Sequence, residues 1–164
     1  EHKDCGVYYP NTFNLSFAIA AAEKAGVNCI TEESHKLMVD KIISLQRADG
    51  SWINEGNIWN DPTLSTAFAL YALLHFANPR EDRIHNALVY GVHSLLKAAR
   101  LTSDTIHWDA DHYFTATAIA RSLIMWRSKA YTNAIIAAVF LKMHKEFPHY
   151  TTQQYLKLQF GTAQ

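Results

Sequence analysis

The sequence predicts an all-α fold, and two observations carry this prediction. Met38, Ile42 and Leu45 are separated by four and then three residues, which places these apolar side chains on one face of a helix with 3.6 residues per turn. No stretch of the chain alternates apolar and polar residues with the β-branched enrichment that a half-buried strand requires. We therefore expect helices throughout the domain and no strands.

The helices are expected in pairs that repeat about every 50 residues. The segment 35–45 aligns with the segment 85–95, where His, Val, Ser and Leu recur at matching positions. Asn11, Asp61 and Asp111 follow the same period, and each precedes a run rich in Ala, Phe and Leu. Because these side chains can accept a hydrogen bond from an N–H of the first helical turn, we predict that a helix begins at each of them.

Each repeat unit is predicted to contain an amphipathic outer helix and a more apolar inner helix, so that inner and outer helices alternate. The expected inner helices are Phe13–Ala25, Thr63–Ala77 and Tyr113–Trp126, which are apolar nearly all round and should be buried on several sides. The two aligned segments belong to outer helices, and Ala130–Lys145 completes the third pair. The predicted units span roughly residues 1–30, 31–80 and 81–145 of a single domain, and a short C-terminal helix covers 150–160.

Composition narrows the range of partners. The 164 residues include 15 basic and 15 acidic side chains, so the chain lacks the basic footprint that a phosphate backbone requires, and we expect no nucleic acid partner. No apolar stretch approaches the roughly 20 residues that span a bilayer, so we expect a soluble domain with no transmembrane segment. Two cysteines do not make a disulfide framework, and the sequence leaves the cellular compartment open.

One segment carries a family resemblance. In the stretch LQRADGSW, Gln46, Gly50 and Trp52 resemble the Gln…Gly-x-Trp repeat motif of the terpenoid cyclase and protein prenyltransferase superfamily, which includes the squalene–hopene cyclases. In physical terms, the Gln amide can bond unpaired backbone groups at the end of a neighbouring helix, and the indole can close over this junction. The resemblance implies an α/α toroid, in which a ring of inner helices lies inside a ring of outer helices.

The second repeat matches this motif less well, and the chain is short for a full toroid. Leu96 stands where the repeat would place the Gln, and Trp108 lies six residues late. A toroid of this superfamily has roughly five or six hairpins, whereas 164 residues provide about three, or half a ring. Since large exposed apolar patches are rare on monomers, we expect an apolar small molecule, a partner protein or a second copy to cover the open surfaces. The chain beginning at Glu1 also fits a piece of a longer protein.

The candidate catalytic residues are Asp109, Asp111 and His112. They resemble part of the Asp-x-Asp-Asp-Thr-Ala motif with which class II terpenoid cyclases protonate an alkene or epoxide, with His112 in place of the last Asp. Such an acid must stay protonated at rest, which a neighbouring carboxylate and a low-dielectric pocket can achieve by raising its pKa. The structural alternatives are a helix N-cap for Asp111, in register with Asp61, and a solvated loop carboxylate for Asp109.

The same cluster also permits a metal interpretation. The segment Asp109–His112 has the spacing of the Asp-x-x-His that ends in a zinc ligand in protein prenyltransferase β subunits. Zinc in a catalytic site needs three protein ligands and an open position, but Thr63 stands where the resemblance would require a thiolate. His107 and His112 are then partly exposed loop histidines. We therefore predict no bound metal and no cofactor, and a zinc-dependent prenyltransferase-like activity is the least favoured alternative.

The candidate ligand-binding residues are aromatic: Trp59, Phe68, Tyr71, Trp108, Tyr113, Phe114 and Trp126. A wall of such rings would stabilise a carbocation through its π-faces, although aromatic rings also pack cores. Two functions stay open: a repeat module with a concave apolar surface, and an isoprenoid isomerase or lyase that uses an Asp acid. Because half a ring cannot keep water from a carbocation, we favour the repeat module.

Overall fold

The structure, a computed structural model, describes residues 12–26, 31–53, 62–110, 114–117, 123–126 and 128–148. Within these ranges it contains five helices: α1 (Thr12–Lys24), α2 (Glu32–Ser44), α3 (Pro62–Phe76), α4 (Asp82–Ala98) and α5 (Lys129–Glu146). It also contains four short strands: β1 (Arg100–Leu101), β2 (Ile106–His107), β3 (Phe114–Thr117) and β4 (Leu123–Trp126). Helices dominate, so the predicted all-α class is confirmed. The predicted C-terminal helix 150–160 lies outside the described residues.

The helix starts show the predicted period. Helix α1 begins at Thr12, and α3 begins 50 residues later at Pro62. Helix α2 begins at Glu32, and α4 begins 50 residues later at Asp82. The described residues therefore contain two helix pairs in the same order, followed by the four short strands and α5.

Helix α2 begins and packs as its sequence dictates. The Thr31 hydroxyl accepts a hydrogen bond from the backbone N–H of Ser34, which satisfies one of the unpaired donors of the first turn. Glu32 and Glu33 place negative charge at the positive end of the helix dipole. Further along, Val39 and the other buried residue, Ile42, face the core. An amphipathic helix on the surface of the domain follows from this pattern.

Helix α3 forms the centre of the fold. Ten of its 15 residues are buried, which agrees with a sequence that is apolar nearly all round. It packs against α1, α4 and α5, and more lightly against α2. Since burying a large aliphatic or aromatic side chain contributes roughly 1.5–3 kcal/mol, this helix supplies much of the hydrophobic stabilisation of the described residues.

The third inner helix was predicted wrongly, as was the absence of strands. Inside Tyr113–Trp126, strands β3 and β4 pair in antiparallel orientation, and Phe114 is the register partner of Trp126. Strands β1 and β2 form a small antiparallel hairpin. The segments FTAT and LIMW are short apolar runs with β-branched and aromatic residues, and periodicity cannot distinguish such runs from pieces of a buried helix.

Helix α5 covers the predicted helix Ala130–Lys145 and packs extensively against α3. Helices α1, α3 and α5 therefore form a row with α3 in the middle. We call this arrangement the α1–α3–α5 row. None of the described helices is both long enough and apolar enough to cross a membrane.

Candidate functional site

Trp52 joins the end of α2 to the start of α3. Its indole Nε1 donates a hydrogen bond of 2.7 Å to the carbonyl of Ile42, in the last turn of α2. Its backbone N–H donates to the hydroxyl oxygen of Thr66 at 2.9 Å, and this hydroxyl donates to the Trp52 carbonyl at 3.4 Å. The tryptophan is 0 % exposed. These bonds satisfy backbone groups that a helix end and a loop would otherwise leave unpaired in the core.

Gln46 and Gly50 complete this junction. The Gln46 side-chain amide donates to the carbonyls of Gly50 at 3.0 Å and Ala87 at 2.9 Å. Ala87 lies well inside α4 rather than at a helix end, so the amide bridges to the body of its neighbour. Gly50 has a φ of +81°, and an added Cβ would lie 2.3 Å from the carbonyl oxygen of Tyr90. Glycine is therefore required at this position.

Trp108 makes an equivalent junction between α4 and α5. Its indole Nε1 donates to the Leu95 carbonyl at 2.6 Å. Its backbone N–H donates to Oδ1 of Asn133 at 2.9 Å, and Nδ2 of Asn133 donates to the Trp108 carbonyl at 2.8 Å. The indole also stacks on Phe140, with 5.8 Å between ring centroids. Trp108, a predicted ligand-binding residue, is 8 % exposed. Its indole ring packs in the core of the domain.

Asp109 lies on the surface beside two cations. Lys129 Nζ lies 3.0 Å from one carboxylate oxygen and Arg100 Nε lies 3.5 Å from the other. The hydrogen bond and charge of Lys129, and then those of Arg100, hold the pKa of Asp109 below its ordinary value. A resting general acid needs a raised pKa, so this environment opposes the predicted role of Asp109 in protonation.

Several predicted site residues cannot be placed. Asp111, His112, Tyr113 and Trp59 lie outside the described residues. Phe114 and Trp126 are described only as strand residues of β3 and β4. Within the described ranges, no group of three or more His, Cys, Asp or Glu side chains is arranged to hold a metal ion.

The structure brings together three aromatic rings from three helices. Phe68 of α3 lies 6.4 Å from Phe17 of α1 and 6.1 Å from Tyr131 of α5, measured between ring centroids. Phe68 is 4 % exposed, whereas Phe17 is 52 % and Tyr131 is 40 % exposed. We call these three residues the aromatic row. It crosses the α1–α3–α5 row, so that a buried central ring is flanked by two accessible ones.

The aromatic row lies on the face of α3 opposite α4. Thr66 bonds to Trp52, and Leu70 lies so close to Gly91 of α4 that an added Cβ there would be 2.7 Å from its side chain. At 100° per residue, Phe68 points away from both of these residues. Tyr71, the next aromatic residue along α3, is half-buried on the side of Phe68. Phe68 and Tyr71 were both predicted as ligand-binding residues.

Tyr131 was not among the predicted site residues. It lies in the first turn of α5, where its backbone N–H donates a hydrogen bond to the hydroxyl oxygen of Ser128, the N-cap residue. The capping pattern could have located the start of this helix in the sequence. It could not have shown that α5 packs beside α3, because that choice is made by tertiary packing.

Two cavities lie away from the aromatic row. One of about 580 Å³ lies between α2 and the start of α4, and Phe76, Val39 and Ile84 are among its lining residues. Arg83 bridges this groove through ion pairs with Asp40 and Glu81. The other cavity, of about 240 Å³, lies near the N-terminus of α3. Neither is lined by Phe17, Phe68 or Tyr131.

Comparisons of this chain with protein-family models, with curated proteins and with solved structures found no match. The resemblance to terpenoid cyclases therefore rests on the residues of the sequence itself. The two tryptophan junctions and the aromatic row define the candidate site by geometry alone.

Proposed function

We propose that this chain is an α/α repeat module of the terpenoid cyclase kind, which binds an apolar ligand on the face that carries the aromatic row. The single observation that supports this proposal is the line of three rings, one from each helix of the α1–α3–α5 row. A flat or chain-like apolar molecule on this face would cover the accessible parts of Phe17 and Tyr131, and removing this surface from water favours binding.

The ends of the α1–α3–α5 row support assembly into a larger arc. Among the described residues, Ala18 and Ala21 of α1 are exposed, as is Ala25 directly after this helix. On α5, one exposed face carries Ala130, Ala134, Ala137 and Leu141, and His144 continues this face near the end of the helix. Apolar edges of this kind are commonly covered, so we include in the proposal a second copy or the remainder of a longer chain. A partner protein on the aromatic face is the alternative to a small ligand.

The proposal is one of binding rather than catalysis. The environment of Asp109 lowers its pKa, and this disfavours the protonating acid that a class II cyclase would need. The described residues offer no cluster of metal ligands that would favour a zinc-dependent activity. The aromatic row needs neither feature in order to hold an apolar molecule.

The proposal can be tested by titrating the chain with the apolar fluorophore 8-anilinonaphthalene-1-sulfonate. Phe17→Ala and Tyr131→Ala should each weaken binding about tenfold, because each removes a ring that contributes roughly 1.5 kcal/mol of apolar contact. Leu37→Ala is the matched control, since Leu37 is exposed on α2 and should not contribute. The proposal would be contradicted if Phe17→Ala and Tyr131→Ala bound the fluorophore as tightly as Leu37→Ala does, or if the wild-type chain did not bind it.

The same samples can report assembly. Light scattering on the wild-type chain should give a mass above 18.6 kDa if a second copy covers the alanine edges. Ala134→Glu should then return the mass to that of one chain, because a buried unpaired carboxylate is costly. A wild-type mass of one chain would remove the second copy from the proposal and leave ligand binding in place.

A further inference from the structure

We propose that the groove between α2 and the start of α4 binds a short peptide with apolar side chains and recognises both of its charged ends. Glu32 receives the ammonium end, Lys36 receives the carboxylate end, and the floor of the groove receives the apolar side chains. The groove is separate from the aromatic row, whose residues do not line it.

The groove exists because the two helices start at different levels. Asp40 lies eight residues after Glu32, the first residue of α2, and pairs with Arg83, the second residue of α4. Gln46, just beyond α2, bonds to Ala87 further along α4, so the two helices run in the same direction. The first two turns of α2, about 12 Å at 1.5 Å per residue, therefore extend past the start of α4 and leave one side open.

The floor of this groove is apolar and aromatic. Val39 and Ile84 are buried there, and Phe76 is half-buried beside them. The His35 ring meets Phe76 edge to face, with 6.2 Å between ring centroids. The cavity volume of about 580 Å³ is typical of a small-molecule site. Two apolar side chains can therefore cover the floor and remove it from water, which favours binding.

The charged side chains that line the groove carry both signs, and three of the five are paired with one another. Arg83 forms ion pairs with Asp40 and Glu81, so these two carboxylates are already neutralised. Neither Glu32 nor Lys36 forms an ion pair within the part of the chain that the structure describes. One carboxylate and one ammonium group remain, and together they complement a ligand with one charge of each sign.

The spacing of these two charges suits a dipeptide. Glu32 and Lys36 are four residues apart, which is about 6 Å along the helix axis. Two residues of extended chain span about 7 Å, so the two ends of a dipeptide reach both side chains at once. Because an exposed ion pair is weak, the apolar contact supplies most of the affinity and the two charges supply the selectivity.

The experiment is a titration of the full chain with leucyl-leucine and with its two blocked forms, N-acetyl-leucyl-leucine and leucyl-leucinamide, followed by NMR of the backbone amides. We expect leucyl-leucine to shift amides of α2 and α4. Each blocked form should bind about threefold more weakly, because it loses one exposed ion pair. Glycylglycine keeps both charges but lacks apolar side chains, so it should bind about tenfold more weakly or worse.

Two substitutions assign the ends of the peptide. Glu32→Gln should remove the preference for leucyl-leucine over its N-acetyl form, and Lys36→Gln should remove the preference over its amide. Glu33→Gln and Lys41→Gln are the matched controls, since both residues are exposed on α2 and do not line the groove. Both preferences should persist in these controls. Glutamine has a helix propensity close to those of glutamate and lysine, so all four variants should fold.

Several results would overturn the proposal. These are equal binding of leucyl-leucine and its blocked forms, no binding by any of them, or amide shifts confined to helices other than α2 and α4. Preferences that persist unchanged in Glu32→Gln and Lys36→Gln would overturn the assignment of the two ends. None of these results decides the function of the aromatic row, because that test uses a different ligand and different variants.

Discussion

The two tryptophan junctions reach the same geometry from different sequences. At each, an indole N–H bonds to a carbonyl in the last turn of a helix, Ile42 or Leu95. At each, the tryptophan backbone bonds to the fifth residue of the following helix, Thr66 of α3 or Asn133 of α5. The connections differ: Pro62 follows Trp52 by 10 residues, whereas Lys129 follows Trp108 by 21. The bonds at the junction, rather than the spacing along the chain, therefore define the repeat.

The first junction is also the more extensively bonded one. Gln46 adds two hydrogen bonds there, and Gly50 allows the turn to approach α4 closely. At the second, Leu96 replaces the glutamine. We therefore expect substitutions at the first junction to have the larger effects on stability.

The largest effect is expected from Trp52→Ala. Loss of a fully buried indole should lower the free energy of unfolding by about 3–5 kcal/mol, as for other large-to-small core changes. Trp108→Ala should cost less, about 3 kcal/mol, because Trp108 retains some exposure. Urea denaturation monitored by circular dichroism would measure both. A larger loss for Trp108→Ala would reverse the ranking of the two junctions.

Gly50→Ala should follow in magnitude. The left-handed backbone and the close approach to Tyr90 should together lower the free energy of unfolding by about 2–3 kcal/mol. Gly26→Ala is the matched control, since Gly26 also has a positive φ but no atom of the described residues lies within 4 Å of its added Cβ. It should cost about 1 kcal/mol. Equal losses in the two variants, measured by urea denaturation, would show that the contact with Tyr90 contributes nothing.

Two threonines should respond in opposite directions. Thr66→Val removes the hydroxyl that accepts from the Trp52 N–H, so it should cost about 1–2 kcal/mol. Thr132 is equally buried, but its hydroxyl has no hydrogen-bond partner among the residues that the structure describes, so Thr132→Val should stabilise by up to about 1 kcal/mol. Thermal unfolding of both variants would give the signs. Destabilisation by Thr132→Val would mean that a water molecule satisfies this hydroxyl.

The smallest effect is expected at Asp109. Because its pKa is lowered in the folded state, its ion pairs stabilise the protein at neutral pH and this contribution is lost as the pH falls through the lowered pKa. Asp109→Asn should slightly reduce the unfolding midpoint at pH 7, and the difference from wild type should close below the ordinary value of 3.8.

The exposed carboxylate of Asp104, in the turn between β1 and β2, provides the control for this measurement. Asp104→Asn should leave the midpoint nearly unchanged at both pH values. A difference for Asp109→Asn that persists in acid would assign its effect to something other than the ion pairs with Lys129 and Arg100.

Much of the fold could be predicted because local and tertiary signals agree. The apolar run Thr63–Ala77 predicted a buried helix, and α3 spans Pro62–Phe76. The helix predicted for the segment 113–126 was wrong for a physical reason, because its short apolar runs fit a buried helix and a strand equally well. The prediction followed the 50-residue period, whereas the structure places the antiparallel strands β3 and β4 there.

The candidate site was predictable only in part for a related reason. Phe68 and Tyr71 lie on a helix that the sequence located correctly, so their shared face could be derived from helical spacing. Tyr131 joins Phe68 only because α5 packs beside α3, and sequence spacing does not encode that neighbour. The acid role of Asp109 was predicted from the motif resemblance. Its two cationic neighbours, Lys129 and Arg100, could be identified only from the structure.

The unequal connections after the two tryptophans have a practical consequence for engineering. The bonds of Trp108 form although 11 more residues separate it from the next helix than separate Trp52 from Pro62. The segment between Trp52 and Pro62 is therefore a natural place to insert a foreign peptide of similar size. The entropic cost of closing a flexible loop rises only slowly with its length. The protein should therefore display the inserted peptide while the hydrogen bonds of both tryptophan junctions are kept.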